Sequence, residues 1–393
     1  MSEWDTSKVT PLHPERFRRR RFRRRLRWLI IVTVVVLAIL ALVLFWRDLN
    51  FDRFRRWVTY MGVEPDGTYG NYQYPAYDGN AYAVYENGLV VATSSGLMLY
   101  DETGSPLTEI SAAMDNPNVN VAGNYVAAWD IGGTTLCAAR SDEEHLNRTL
   151  DHTILDVDLS ANGDMVFASG ADGYRTMLTM MDNQTQERFK WYSSAQYLPL
   201  CAVNSGGTQL AAIALGQEQG AFTSSLLLLD PTVEEQEPVQ VALGNQLIYE
   251  LDYLQDRYLC AVGETSLQLL RTTGEVYGTY GYNGEHLMKY DISGDGFITL
   301  ALNPYQTGSQ YVLKTVEYDG QERGSLALGQ EVLHLSVAGD YVAVLTASGL
   351  QIYTSDLQLY AQTDDVLGVT QVLMREDGTA VLVAANHASL FLP

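Results

Sequence analysis

The chain has 393 residues, a formal net charge of −22 and three cysteines. The charge is divided, because residues 1–56 hold 14 basic and 5 acidic residues while the remainder holds 11 basic and 42 acidic ones. A body that acidic repels phosphate, which makes it a poor nucleic-acid binder; the simpler account of the acid is that it keeps an extended surface soluble, and cationic partners or diffuse cation binding are the alternative.

Residues 1–27 form a polar leader followed by nine arginines between Arg16 and Arg27. Residues 28–46, WLIIVTVVVLAILALVLFW, carry no charge over 19 positions. At about 1.5 Å per residue a helix of that length reaches roughly 28 Å, the thickness of a bilayer's hydrocarbon core. The sequence predicts one transmembrane helix. The arginines before it outnumber Arg47, Arg53, Arg55 and Arg56 after it, which puts the N-terminus inside and the body outside. No small-residue cleavage site follows the apolar run, so the segment reads as an uncleaved anchor. The arginine cluster is also suited to anionic lipid head groups.

Residues 47–79 join anchor to body. Phe51, Phe54, Trp57 and Tyr60 recur every three positions and suit one face of an interfacial helix. Tyr69, Tyr72, Tyr74, Tyr77, Tyr82 and Tyr85 then lie among Gly, Asn and Pro, where no helix is expected. The simpler expectation is a lead-in that buries its rings on the body, with hydroxyls reaching backbone or water; the alternative is an aromatic platform for sugar or peptide.

From residue 80 to 393 short apolar strands alternate with polar turns. One unit recurs: apolar strand, tight turn, apolar strand, second turn, third strand. It is visible in YENGLVVATSSGLMLYDETGSPLTEI and in SVAGDYVAVLTASGLQIYTSDLQLYAQ. Its first turn falls near Gly88, Gly123, Gly163, Gly207, Asp256, Gly294, Gly339 and Gly378. Gaps of 35 to 49 residues between these turns match propeller blades of four short strands. The fold expected is all-β, a β-propeller of eight blades, or seven if a terminal unit is irregular. The last unit has room for three strands, so a strand from the lead-in is expected to complete it.

Layout and repeats together resemble a bacterial family of single-pass, membrane-anchored β-propellers described as a domain of unknown function, with degenerate WD40-like or quinoprotein-like repeats. The resemblance carries no functional residue across. A Trp-Asp pair occurs once, at Trp129-Asp130, and no regular docking tryptophan is present, so no quinone cofactor is expected.

Several patterns invite chemistry and fail on inspection. Asp291, Asp295 and Gly296 open like a calcium loop, but position twelve is Leu302, where a glutamate is needed. His145 and His152 flank the acidic stretch Asp142-Glu143-Glu144 and Asp151 with no zinc spacing, and read as a solvated loop. His286, His334 and His387 each stand alone near a strand edge. Asn147 and Asn183 open glycosylation-type triplets, a pattern frequent by chance. TVEEQE at 232–237 reads as a solvated blade tip. Cys137, Cys201 and Cys260 lie in apolar runs 64 and 59 residues apart, which suits buried free thiols rather than a disulfide framework or zinc site.

No catalytic, cofactor-binding or metal-binding residue is assigned, and no cofactor is expected. The function expected is a non-catalytic, membrane-tethered, extracytoplasmic propeller that serves as a protein-interaction scaffold in a cell-envelope complex. One alternative is a propeller hydrolase or lyase acting on glycan or peptide, with paired carboxylates meeting in the central channel. The other is a ligand-binding envelope sensor, against which stands the lack of a folded cytoplasmic output domain.

Overall fold

The computed structural model describes residues 28, 32, 33, 60, 61 and 70–393, save 78 and 234. By internal packing the chain divides into a unit at 1–61 and a unit at 62–393. Among the described residues no helix is long and apolar enough to cross a membrane; the span predicted at 28–46 lies outside them except for Trp28, Val32 and Thr33.

The second unit is built from eight four-stranded antiparallel sheets. Seven are simple meanders of consecutive strands, at 81–111, 117–149, 154–193, 197–244, 248–281, 286–327 and 334–363. They are blades one to seven of a propeller, and blade eight takes three strands from 369–391. Its fourth strand is Tyr72–Gln73, which pairs with His387–Phe391 from the other end of the chain. The count is therefore eight rather than seven, and the lead-in closes the ring as its spacing predicts.

The strand sequences explain their positions. The second strand of a blade is flanked by a partner on each side and a neighbouring blade above and below. Gly88–Thr93, Tyr125–Asp130, Phe297–Asn303 and Tyr341–Thr346 are accordingly buried throughout and read as unbroken apolar runs. Fourth strands such as Pro106–Ser111 and Glu322–Ala327 lie on the rim and alternate with polar residues. Each core cluster straddles two consecutive blades: Val90, Leu99 and Val126 join blades one and two, and Val166, Leu178 and Leu227 join three and four. A single blade cannot cover both of its faces, so the ring is the smallest unit that buries them.

Tyr72 and Tyr74 are buried. The Tyr74 hydroxyl lies 2.8 Å from the Ala384 carbonyl and 2.7 Å from that of His387. Tyr100 of blade one donates to the Gln73 carbonyl at 2.5 Å, and its ring meets Tyr72 edge-on at 5.9 Å. Gly104, at φ +91°, lets the blade-one turn approach this strand; a Cβ there would stand 2.4 Å from the Asn71 oxygen. The rings of Tyr72 and Tyr74 are thus buried with hydroxyls on backbone, as the simpler reading of the lead-in expects.

Cys137, Cys201 and Cys260 are free and buried, in three separate clusters. Burial pushes the Cys137 thiol up to about 12 and those of Cys201 and Cys260 well above the usual range. They are packing residues without thiolate reactivity. Trp129 is buried, and Asp130 Oδ1 accepts from the Asp115 and Asn116 amides at 3.0 and 2.7 Å, fastening the link into blade two.

Candidate functional site: the acidic channel wall and the link face

All eight first strands run in the same direction along the central channel. The ring therefore has a turn face, carrying the turns after the first and third strands, and a link face, carrying the links between blades and the turns after the second strands.

A first strand has one unpaired edge, and its free amides need acceptors. The preceding blade supplies them. Asp156 and Asp158, two apart on Ile154–Leu159, point the same way. Asp156 Oδ2 accepts from the Cys201 amide at 2.9 Å and Asp158 Oδ2 from the Val203 amide at 2.8 Å, each 45 residues on in blade four. Asp291 repeats the device 46 residues from Val337, at 2.7 Å. Ser336 repeats it 38 residues from Met374, at 2.9 Å. His334 Nδ1 faces the Val372 amide at a long 3.5 Å. Asn120 of blade two donates to Asp158 Oδ1 at 2.9 Å.

Glu250 and Asp252 occupy the corresponding strand of blade five, Ile248–Leu254. Glu250 accepts from the Tyr290 hydroxyl at 3.1 Å and Asp252 from the Tyr253 amide at 2.6 Å. Five carboxyl groups thus line the wall from three first strands. Desolvation, reinforced by mutual repulsion, raises Asp156 and Asp158 to about 7 and holds Glu250 and Asp252 above their usual range, and desolvation alone does the same for Asp291. Burial, with Lys289 nearby, lowers His334 to about 4.

At the turn face the channel opens into a cavity of about 670 Å³ between the first strands of blades one, two, six, seven and eight. Asp291, Ser336 and Arg375 line it. Arg375 is 2% exposed, and its Nη2 donates to the Tyr72 hydroxyl at 2.8 Å.

The link face is different. Among the described residues its links and turns hold Asp115, Asp151, Asp172, Glu264, Glu285, Glu331, Asp364 and Asp365, and neither lysine nor arginine. The exposed aromatic residues concentrate toward it: Tyr77, Tyr174, Tyr192, Tyr197, Phe222, Tyr249 and Tyr305, against Tyr277 alone toward the turn face. Arg175 stacks on Tyr197, its guanidinium carbon 5.2 Å from the ring centre.

The residues singled out in the sequence do not converge. Asp291 belongs to the channel wall, Asp295 lies on the turn face accepting from Gln255, and Leu302 is core. His145 is not in a solvated loop. Glu143–Thr149 is the fourth strand of blade two, and the His145 ring packs edge-on against buried Tyr125 at 5.6 Å. His152 sits apart in the next link. Asn147 and Asn183 donate to the Ser111 and Asn162 carbonyls. His286 opens the first strand of blade six, and His387 sits exposed at the start of the third strand of blade eight. TVEEQE is more than a solvated tip, because Glu235, Gln236 and Glu237 form one wall of a cleft on the rim. Among the described residues no group of three or more His, Cys, Asp or Glu is placed to hold a metal ion.

Sequence reasoning missed Asp156, Asp158, Glu250 and Asp252. Their signal was present as acids at period two inside the apolar strands ILDVDL and IYELDYL. That pattern reads equally as a wet strand face, and only ring closure turns the face toward a neighbouring blade.

The propeller superposes on the crystal structure of the C-terminal WD40 domain of Sif2 with a TM-score of 0.58 and 10% identity, covering 82% of this chain and 97% of that one. It superposes on BamB from Moraxella catarrhalis with a TM-score of 0.50 and 13% identity, covering 80% and 97%. At such identities the likeness is one of fold, and 724 solved chains match it, too many for the fold to specify an activity. No curated protein sequence matches the chain. A family model described as "Family of unknown function (DUF5711)" matches residues 66–385.

Proposed function

The chain belongs to DUF5711, a family of unknown function, and we propose that its propeller is a non-catalytic protein-interaction scaffold whose link face docks a partner with a basic surface. The observation that carries this reading is the coincidence, on one face, of exposed aromatic residues with carboxylates and no lysine or arginine in the connecting segments. Aromatic side chains supply contact area at low entropic cost, and the carboxylates, of which only Glu285 has an ion-pair partner among the described residues (Lys314 at 3.9 Å), steer a cationic partner. In the same reading residues 28–46 tether the ring to the cell membrane, with residues 1–27 inside and the propeller outside in an envelope complex. The arginine asymmetry across the apolar run supports that orientation.

A second reading is an enzyme, favoured by the carboxyl cluster in the channel, since paired carboxyls with raised pKa values are what acid–base hydrolysis uses. Against it, the oxygens of Asp156, Asp158 and Asp291 accept from main-chain amides of the next blade. Their positions follow from edge-strand satisfaction without any substrate.

Photo-crosslinking in intact cells tests the scaffold. A photoreactive residue replacing Tyr197 or Tyr305 should capture one protein reproducibly in near-stoichiometric yield, and one replacing Val276 on the turn face should not. Equal capture from both faces, or none from the link face, would overturn the assignment. A cysteine in place of Glu376, exposed in the turn that holds Gly378, should react with a membrane-impermeant thiol reagent before lysis; reaction only after lysis would reverse the orientation.

A further inference from the structure

Blade four carries the longest turn on its face. Nine residues, 230–238, join its third and fourth strands, where the equivalent turns of the other meanders have two to five. The loop is closed on itself. Gln236 Oε1 accepts from the Asp230 amide at 2.9 Å, and its Nε2 donates to the Asp230 and Val233 carbonyls at 2.7 and 2.8 Å. Asp230 Oδ1 accepts from the Thr232 amide and hydroxyl at 2.8 and 2.6 Å. Glu235 and Glu237, on either side of Gln236, are left exposed, and neither forms an ion pair among the described residues.

This loop faces the outer strand of blade three, Glu187–Ser193, across a cleft of about 640 Å³. The opposite wall is Trp191 with Tyr174 and Tyr192, whose ring centres lie 4.8 Å apart with planes 39° apart. The two tyrosines are 48% and 44% exposed, so their faces are open to a ligand. Lys190 also lines the cleft, but its Nζ is 2.7 Å from Glu187 Oε2, and that pair is electrically neutral. What remains is a set of open aromatic faces opposite two uncompensated carboxylates.

We infer that this rim cleft receives an arginine side chain from an extended segment of the partner protein. A guanidinium is planar and weakly hydrated, so it stacks on an aromatic face while its edge donates to a carboxylate. The cleft offers both groups at once, and its volume falls in the range of ordinary ligand sites. The inference rests on the basic-partner reading and adds to it a particular site and a particular side chain.

The test is fluorescence anisotropy of the full-length protein in detergent with a labelled Gly-Arg-Gly-Arg-Gly peptide and its citrulline counterpart, which is neutral but similar in shape. The arginine peptide should bind about tenfold tighter than the citrulline one. Tyr192→Ala, and Glu235→Gln with Glu237→Gln, should each weaken it by about tenfold, while Tyr192→Phe retains it. Glu143→Gln with Glu144→Gln removes the same charge from the outer strand of blade two, where both side chains are exposed, and should leave the affinity within about twofold. Unchanged melting temperatures establish that the variants fold. Equal binding of the citrulline peptide would overturn the inference. So would equal loss from the two charge-removing pairs, which means diffuse attraction. Loss on Asp364→Asn with Asp365→Asn of the link face, and not on the Glu235/Glu237 pair, would sink the cleft while leaving the link-face reading intact.

Discussion

Asp156 illustrates how a buried carboxyl with a raised pKa can have its place set by a main-chain amide of the next blade. Its carboxyl group is charged at pH 8 in both folded and unfolded chains, and only the folded chain has stripped it of water. Asp156→Asn keeps an acceptor for the Cys201 amide and removes that charge. The variant should melt higher than the parent at pH 8, and the advantage should shrink as pH falls through 7 and vanish below about pH 4, the unfolded value. Asp156→Ala removes the same charge but leaves the amide without an acceptor, and should lie about 1–3 kcal/mol below Asp156→Asn at any pH by chemical denaturation. Tyr72 is a second case. It receives a hydrogen bond from Arg375, whose Nε and Nη1 are buried without a hydrogen-bond partner. Tyr72→Phe should destabilise by about 1.5–3 kcal/mol, because it strands a buried cation. Adding Arg375→Met should recover most of that loss, because the cation goes with its partner; a double variant as unstable as the sum of the two singles would count against this account.

At the scale of elements, the two-residue strand Tyr72–Gln73 does more than its length suggests. It covers the edge of His387–Phe391, and its neighbours Tyr74 and Tyr100 stitch it to blades eight and one. Each buried tyrosine contributes about 2 kcal/mol of apolar burial. The parent ring should melt in one calorimetric transition, and deleting residues 70–77 from the otherwise intact chain should split it and expose the 369–391 region to early proteolysis. A variant that still melts in one transition, within about 2 °C of the parent, would show that blade eight closes without this strand. The first-strand amides follow the same logic: spacings of 45, 46 and 38 residues between acceptor and amide are the repeat length expressed as hydrogen bonds.

For the whole molecule, the channel carboxyls set the response to pH. Their folded-state values are raised above the unfolded values of about 4, so the native chain binds more protons across that interval. Stability should therefore rise as pH falls from 8 toward 5. His334, lowered to about 4, acts in the opposite direction, but only below its unfolded value of about 6.5. Between pH 8 and 6.5 the carboxyls act without it, and the melting temperature should climb by several degrees. A flat or falling profile over that range would mean that the carboxyls are well hydrated. Net charge pushes the same way, since a body this acidic repels itself less as it titrates. The Asp156→Asn variant, carrying nearly the same net charge, separates the two contributions.

The strands, the eight first turns and the closing role of the lead-in could be read from the chain, because each is a local property, while the choice between seven and eight blades waited for the ring. Alternation marks a strand, and Gly or Asp at a turn marks its end. The buried state of the cysteines was equally legible in TTLCAA, LPLCAV and YLCAV, since an uninterrupted apolar run has nowhere to lie but inside. What the chain concealed was everything produced by closure. Whether the aspartates of ILDVDL face water or a neighbouring backbone depends on a strand 45 residues away, and His145 reads as a loop residue until Tyr125 is seen beside it. The rim cleft joins Tyr174, Tyr192 and Glu235 from two blades, and the link face gathers its tyrosines from blades that are distant in sequence. These are relations between repeats rather than within them. Tertiary structure alone decides them, because the burial and electrostatics of a side chain depend on which surface the ring brings against it.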